Sequence, residues 1–209
     1  MLITLSVEGV IPVNCFIYAD DATRGAVVID PGAQSERILS ALIENKLLVE
    51  KILVTHGHFD HIGAAAELKS ATGAQICMAE HGAEYAKNPA LNMSCNIGRK
   101  ISIPVVTTLN ADEIVPLNNA PSLKIKMIPT PGHTKDGCIY YAAADNIAFV
   151  GDTIFEDSYG RTDLPGGDAA TILKSIREKI FTLPPQTILL TGHGNPTTVK
   201  DEMGRAYYN

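Results

Sequence analysis

Apolar and polar residues alternate along Leu2-Ile3-Thr4-Leu5-Ser6-Val7, and two further apolar runs follow, Cys15-Phe16-Ile17-Tyr18 and Ala26-Val27-Val28-Ile29. Turn residues such as Asp20-Asp21 separate them, so the first thirty residues read as three strands, ended by Asp30-Pro31-Gly32. The period then changes. Ile38, Leu39, Leu42 and Ile43 make one helical stripe, with Ser35 as its expected N-cap. A buried strand is predicted at 51–54 and a helix from about Ile62 to near Gly73, followed by a short strand, Ala74-Gln75-Ile76-Cys77-Met78. A helix near Glu80–Lys87 and an irregular excursion from Pro89 to Pro104 follow, and the stretch from Ala79 to Pro121 is read as a variable connection.

Strand character resumes from Ser122 to Pro129, and Cys138–Ala142 with Asn146–Val150 reads as a hairpin. Asp168 is placed to cap a helix whose apolar face is Ile172, Leu173, Ile176 and Ile180, and Pro184-Pro185 stops it. A last strand, Thr187–Leu190, leads into a final helix expected to be capped by Asn195, with Pro196 in its first turn. Strands followed by β-α units in both halves suggest two sheets packed face to face with helices outside, an α/β (α+β) arrangement.

Chemistry concentrates in one stretch, Thr55-His56-Gly57-His58-Phe59-Asp60-His61, between the strand at 51–54 and the helix after it. The C-terminal end of a strand is where α/β sheets usually carry their sites. Residues two apart in an extended loop point the same way, so His56 and His58 can share one ion. Asp60 and His61, where the chain tightens into a helix, turn to another side and can meet a second. Imidazole with carboxylate suits zinc, iron or manganese. His133, Asp152 and His193 each follow an apolar strand and stand beside glycine, repeating the same context.

The 209 residues, 45% apolar, can bury about 70% of the unfolded surface. Net charge is −6 without a run of like charges, which argues against nucleic acid or an anionic membrane as partner. No apolar stretch nears the roughly 20 residues that span a bilayer. Met1 to Tyr18 is interrupted by Glu8 and Pro12 and makes a poor signal peptide. Cys15, Cys77, Cys95 and Cys138 are widely spaced and read as reduced thiols, so a cytoplasmic protein is expected, a monomer or homodimer acting on a small molecule. Asn92-Met93-Ser94 is read as an accidental glycosylation sequon, and His81 as a surface residue at a helix start.

The segments Thr55–His61, Thr130-Pro131-Gly132-His133, Gly151-Asp152-Thr153, Gly192-His193-Gly194 and Asp30-Pro31-Gly32 resemble the motif series of the metallo-β-lactamase superfamily. Gly160-Arg161-Thr162-Asp163-Leu164-Pro165-Gly166-Gly167-Asp168 resembles its glyoxalase II-like branch, the hydroxyacylglutathione hydrolase-like enzymes. The resemblance spans nearly the whole chain. It implies an αββα sandwich of two mixed β-sheets with helices on the outer faces. It also implies two divalent metal ions, zinc first with iron or manganese as alternatives. His56, His58 and His133 would hold one, Asp60, His61 and His193 the other, with Asp152 between them and Asp30 orienting the ligand loops. Water bridging two such cations, about 3.5–4 Å apart, loses a proton near neutral pH and attacks an acyl carbon. A thioester such as S-lactoylglutathione is the expected substrate, because a thiolate leaves without acid assistance. Asp60 is the candidate catalytic residue, orienting or briefly accepting the water's proton.

Two-domain glyoxalase II enzymes bind glutathione with a C-terminal helical domain. The sequence ends at Asn209, so the expected form is a short single domain, residues 1–209, taking a smaller or different thioester. Arg161 and Lys135, with Tyr159 as partner, are the candidates for binding a substrate carboxylate. Arg161 paired with Asp163 is the plain alternative. Competing readings are a persulfide dioxygenase with one iron on two histidines and an aspartate, a lactonase, and a zinc-stabilised binding module.

Overall fold

A computed structural model of the chain describes residues 1–208, Tyr207 by its backbone alone. A first sheet begins as an antiparallel meander of β1 (Leu2–Val7), β2 (Val13–Ala19) and β3 (Gly25–Ile29). Through α1 (Ser35–Glu44) the chain reaches β4 (Leu48–Leu53), which runs parallel to β3. Next come α2 (Phe59–Ile62), α3 (Ala65–Thr72) and β5 (Gln75–Met78), then α4 (Gly82–Lys87) and the short edge strand β6 (Thr107–Thr108). The second sheet is built from β7 (Ile125–Pro129), β8 (Cys138–Ala142) and β9 (Ile147–Gly151). A small hairpin, β10 (Ile154–Phe155) with β11 (Ser158–Tyr159), and α5 (Ala169–Ser175) precede β12 (Ile188–Thr191), β13 (Thr197–Thr198) and α6 (Val199–Met203). Its strand order is β13-β12-β9-β8-β7.

Strand alternation sorts the side chains into three apolar layers. Cys15, Ile17, Val28, Ile52 and Ile76 face α1 and α3, meeting Ile38, Leu42 and Leu68. Their neighbours Phe16, Val27, Ile29 and Leu53 face the other way, against Met127, Tyr140 and Phe149 of the second sheet. Ile139, Ala148, Val150 and Leu189 then back onto Ile172, Ile176 and Ile180. The result is the αββα sandwich, with both central sheets covered on both faces, which is why their strands read as nearly continuous apolar runs.

Local expectations fail at helix ends. Ser35 is the first residue of α1 rather than its cap. Gln34 occupies the cap position in the left-handed region (φ 52°), and the Ser35 hydroxyl donates to Glu67 instead. Ile43, counted in the apolar stripe, is 74% exposed, because the stripe facing the sheet is only Ile38 and Leu42 wide. Helix begins at Phe59, not Ile62, and restarts at Ala65. Asp168 caps α5 as expected, accepting from the Thr171 N–H, but the helix widens to a π-helix over Ile176–Ile180. Asn195 does not cap the final helix. The chain first adds β13 to the sheet, and Thr198 caps α6 by accepting from Asp201 N–H. Asn92 of the sequon is buried, donating to the Tyr85 and Ile101 carbonyls. Among the described residues no helix is long and apolar enough to cross a membrane.

Candidate metal centre

Strand direction assembles the site. β3 and β4 run parallel; β7 and β9 point the same way because β8 is antiparallel to both, and β12 pairs parallel with β9. Their C-terminal ends open at one edge of the sandwich and deliver Asp30, the 55–61 loop, His133, Asp152 and His193. His58 is extended (φ −66°, ψ 150°) and the helical turn of α2 starts directly after it, which separates Asp60 and His61 from His56 and His58. Gly192 permits the close approach: a Cβ there would lie 2.4 Å from Asp152 Oδ1 and 2.7 Å from His61 Cε1.

The seven residues converge as overlapping groups. His58 Nδ1 lies 3.2 Å from His56 Nε2 and 3.0 Å from His133 Nε2. On the other side, His193 Nε2 lies 3.3 Å from Asp60 Oδ2, and His61 Nε2 lies 3.9 Å from it. Asp152 stands between, with Oδ2 3.6 Å from His133 Nε2 and 3.5 Å from His193 Nε2, and Oδ1 3.3 Å from His61 Nε2. Ligand atoms of His56, His58 and His133, of His56, His61 and Asp152, and of Asp60, His61 and His193 fall within 4.8 Å of one another in each group.

Most of these histidines are fixed from behind. His133 Nδ1–H donates to the Arg161 carbonyl at 2.7 Å and His193 Nδ1–H to the Pro12 carbonyl at 2.6 Å, turning each Nε2 toward the cluster. His61 Nδ1–H donates to Asp30 Oδ2 at 2.9 Å. Asp30 also accepts from the Thr55 N–H and hydroxyl, and His56 Nδ1–H donates to that hydroxyl at 3.2 Å. Asp30 holds a positive φ of 50°, a conformation that costs a non-glycine residue energy and turns its carboxylate into the loop.

The electrostatics suit cations. Burial, joined by neighbouring imidazoles, pushes His56 far down and His58 down to about 3, so both present neutral rings. Burial acts the same way on His61 and His193. There the carboxylates outweigh it: Asp152, Asp30 and Asp60 hold His61 well up, and Asp152 with Asp60 brings His193 to about 10. Asp152, although burial raises it, is held well below the carboxylate range by His61 and His193. The buried Nε2 of His61 and Oδ1 of Asp152 have no hydrogen-bond partner of good geometry among the described residues. Lone pairs crowded this closely, with buried carboxylates among them, fit a pair of divalent ions.

A cavity of about 660 Å³ opens onto the cluster, walled by Ile11, Phe59, Met93, Phe155, Leu164 and Arg161. Arg161, one of its lining residues, pairs its guanidinium with Asp163 at 2.7 Å. The other two substrate candidates lie elsewhere. Lys135 lines a separate cavity beside His81, and Tyr159 packs its ring 6.2 Å from that of Tyr208. Exposed His81 pairs with Glu84 at a helix start, as its sequence context suggests. Sequence reading missed Thr55 as the link between Asp30 and His56, and it missed Asp136. This buried carboxylate accepts the Gly57 N–H at 2.9 Å, between the two ligand histidines. The one signal for it was the unusual Thr134-Lys135-Asp136-Gly137 after His133.

Residues 9–193 match the sequence pattern of the metallo-beta-lactamase superfamily, and the chain belongs to that superfamily as a metallo-hydrolase. One relative, hydroxyacylglutathione hydrolase GloC of Haemophilus influenzae, is 32% identical, covering 90% of this chain and 89% of that protein. The crystal structure of BLEG-1 B3 metallo-beta-lactamase matches with a TM-score of 0.91 at 33% identity, over 98% of this chain and 97% of that one. TTHA1623 in a di-iron-bound form matches with a TM-score of 0.81 at 29% identity, over 98% and 97%.

Proposed function

We propose that the protein hydrolyses thioesters of small thiols. The observation that carries this is the cavity over the cluster. Among the described residues its lining offers, beyond the ligand candidates, apolar side chains with Arg161 and Asn96, neither of which gives up a proton near neutral pH. A reaction run there must expel a group that leaves unprotonated, and a thiolate does so far more readily than an amine. GloC, a hydroxyacylglutathione hydrolase by name, matches this chain over 89% of its own length, so a protein of this extent supports the same reading.

In this proposal His56, His58 and His133 would hold one divalent ion and Asp60, His61 and His193 a second, with Asp152 placed to serve either. When bound, such a pair supplies an acidified water, with a pKa near 7, and polarisation of the acyl oxygen. Neutral His56 and His58 donate lone pairs without first losing protons. Asp60, its Oδ2 3.3 Å from His193 Nε2, orients the attacking water and takes its proton in passing. Met93, Phe155 and Leu164 exclude bulk water around the acyl chain. Zinc is the proposed metal, and iron the alternative that the di-iron form of TTHA1623 supports. Four free cysteines fit a cytoplasmic setting.

Metal analysis of the purified protein together with S-lactoylglutathione hydrolysis, with and without oxygen, tests the reading. About two ions per chain and oxygen-independent turnover are expected. Asp60→Asn at full metal occupancy should lower kcat by about 10²–10⁴-fold, the usual span for a positioned base. Unchanged turnover would remove the catalytic role from Asp60. A single iron with oxygen uptake would replace hydrolysis by persulfide oxidation.

A further inference from the structure

Asp136 is a buried carboxylate that the reaction proposed above does not use. It follows His133 in the turn between β7 and β8. Two hydrogen bonds draw that turn tight, from the Thr130 N–H to the Gly137 carbonyl at 2.8 Å and from the Gly132 N–H to the Thr134 carbonyl at 2.9 Å. Two more cross from it to the 55–61 loop of the other sheet. The Cys138 N–H donates to the Thr55 carbonyl at 2.9 Å, and Asp136 Oδ2 accepts the Gly57 N–H at 2.9 Å. His56 lies between the two attachment points. Gly57 is wedged in place, since a Cβ there would lie 2.4 Å from Tyr85 Cβ and 3.2 Å from Asp136 Oδ2. The hydroxyl of buried Tyr85 in turn accepts the Lys135 N–H at 3.3 Å, which ties the same turn to α4.

This bridge serves one set of ligand candidates. His56 and His58 flank Gly57, and His133 shares its turn with Asp136; together they make the first group. The second group is fixed from other places. His61 donates to Asp30 and His193 to the Pro12 carbonyl, while the start of α2 is held by the Phe59 N–H donating to the Asn92 carbonyl at 2.9 Å. We infer that Asp136 is the positioning residue of the first ion: its bond to Gly57 sets His56 and His58 against His133, so occupancy of that ion depends on Asp136 and occupancy of the second does not. Without the acceptor, the Gly57 N–H is left buried and unpaired, and the loop must turn to satisfy it, carrying two imidazoles with it. Metal affinity falls when the partners that orient its ligands are lost. The inference rests on the two-ion reading above and adds a residue that is not itself among the ligand candidates.

Metal release is separable from turnover. Cobalt(II) is the probe, exchanged into the purified protein and withdrawn stepwise by a competing chelator while visible absorption is followed. His58→Ala removes a ligand candidate of the first group and so identifies that ion's band. Asp136→Leu, close in volume but without an acceptor, should raise the first ion's Kd about 10–100-fold and leave the second nearly unchanged. Asp136→Asn keeps an acceptor for the Gly57 N–H and should hold the first Kd within about threefold of wild type. Asp136→Ser, too short to reach Gly57, carries the same expectation as Asp136→Leu should the latter not fold. Leu42→Ala trims the apolar layer between α1 and the first sheet, and should lower Tm while leaving both Kd values within about twofold. Equal loss of both ions in Asp136→Leu, no loss at all, Asp136→Asn as weak as Asp136→Leu, or the same selective loss in Leu42→Ala overturns the role. A wild type that carries a single ion sinks the two-ion reading instead. A His58-dependent band that Asp136→Leu weakens and Asp136→Asn keeps would then leave Asp136's role standing, and a band that neither variant moves would overturn it.

Discussion

Asp30 and Asp136 brace the same ligand loop from two sides. Asp30 accepts from Thr55 and from His61 Nδ1–H and so keeps company with donors. Burial pushes Asp136 up to about 7, although hydrogen bonds from Thr134 and Gly57 and the nearby His81 offset part of the loss of water. Its folded pKa thus lies above the ordinary carboxylate value of 3.8. Between pH 4 and 7 the folded chain keeps a proton that the unfolded chain has released. The stability this confers is full at low pH and is lost as pH rises through about 7. Asp136→Asn keeps an acceptor for the Gly57 N–H and removes the titration. Melting of the variant should therefore fall less between pH 5 and pH 8 than that of the wild type, by an amount bounded at roughly 3 kcal/mol. A pH profile parallel to wild type would refute the assignment. The candidate ligand cluster was legible in the sequence because six residues held three histidines, which the fold brings together. Asp136 was not, since its partner is the backbone of a residue 79 positions away.

At the scale of elements, strands were easier to read than helix ends. The apolar runs at 26–29, 51–54 and 146–150 lie on strands because both faces of each central sheet are covered, so sequence and packing agree. Caps depended on tertiary events. Ser35 was drawn off by Glu67, and Asn195 was displaced by β13, whose pairing with β12 no local signal announces. Phe149 marks where the two sheets meet. Its ring lies 5.4 Å from that of Phe16 and 5.8 Å from that of Tyr18, across the inner layer. Phe149→Ala should cost about 3–5 kcal/mol in denaturant unfolding, the range for a truncated buried aromatic. A loss under 1 kcal/mol would mean that the inner layer is not tightly packed there.

For the whole molecule, the metal centre is a seam between the sheets. His56, His58, Asp60 and His61 come from the first sheet, His133, Asp152 and His193 from the second. Ions that bind only the folded arrangement stabilise it by mass action, about 4 kcal/mol at a thousandfold excess over Kd. Chelation should then lower Tm by roughly 8–16 °C for a chain of this size. An unchanged Tm with fully stripped metal would show that the seam holds without them. The αββα layering was readable from alternating strands and helices, but the location of the substrate-facing residues was not. Tyr159 and Lys135 sit near the motifs in sequence but do not line the cavity.

The hydrogen bond from His193 to the Pro12 carbonyl spans 181 positions, and Asn14 anchors the same loop through the carbonyls of Thr191 and Gly194. A nascent chain leaving the ribosome exposes His56, His58 and His61 long before the segment that completes their cluster has been translated. Those early histidines can meet free metal while the last of their partners does not yet exist. Completion of the cluster is thereby tied to translation of the segment that carries His193, more than 130 positions after His61.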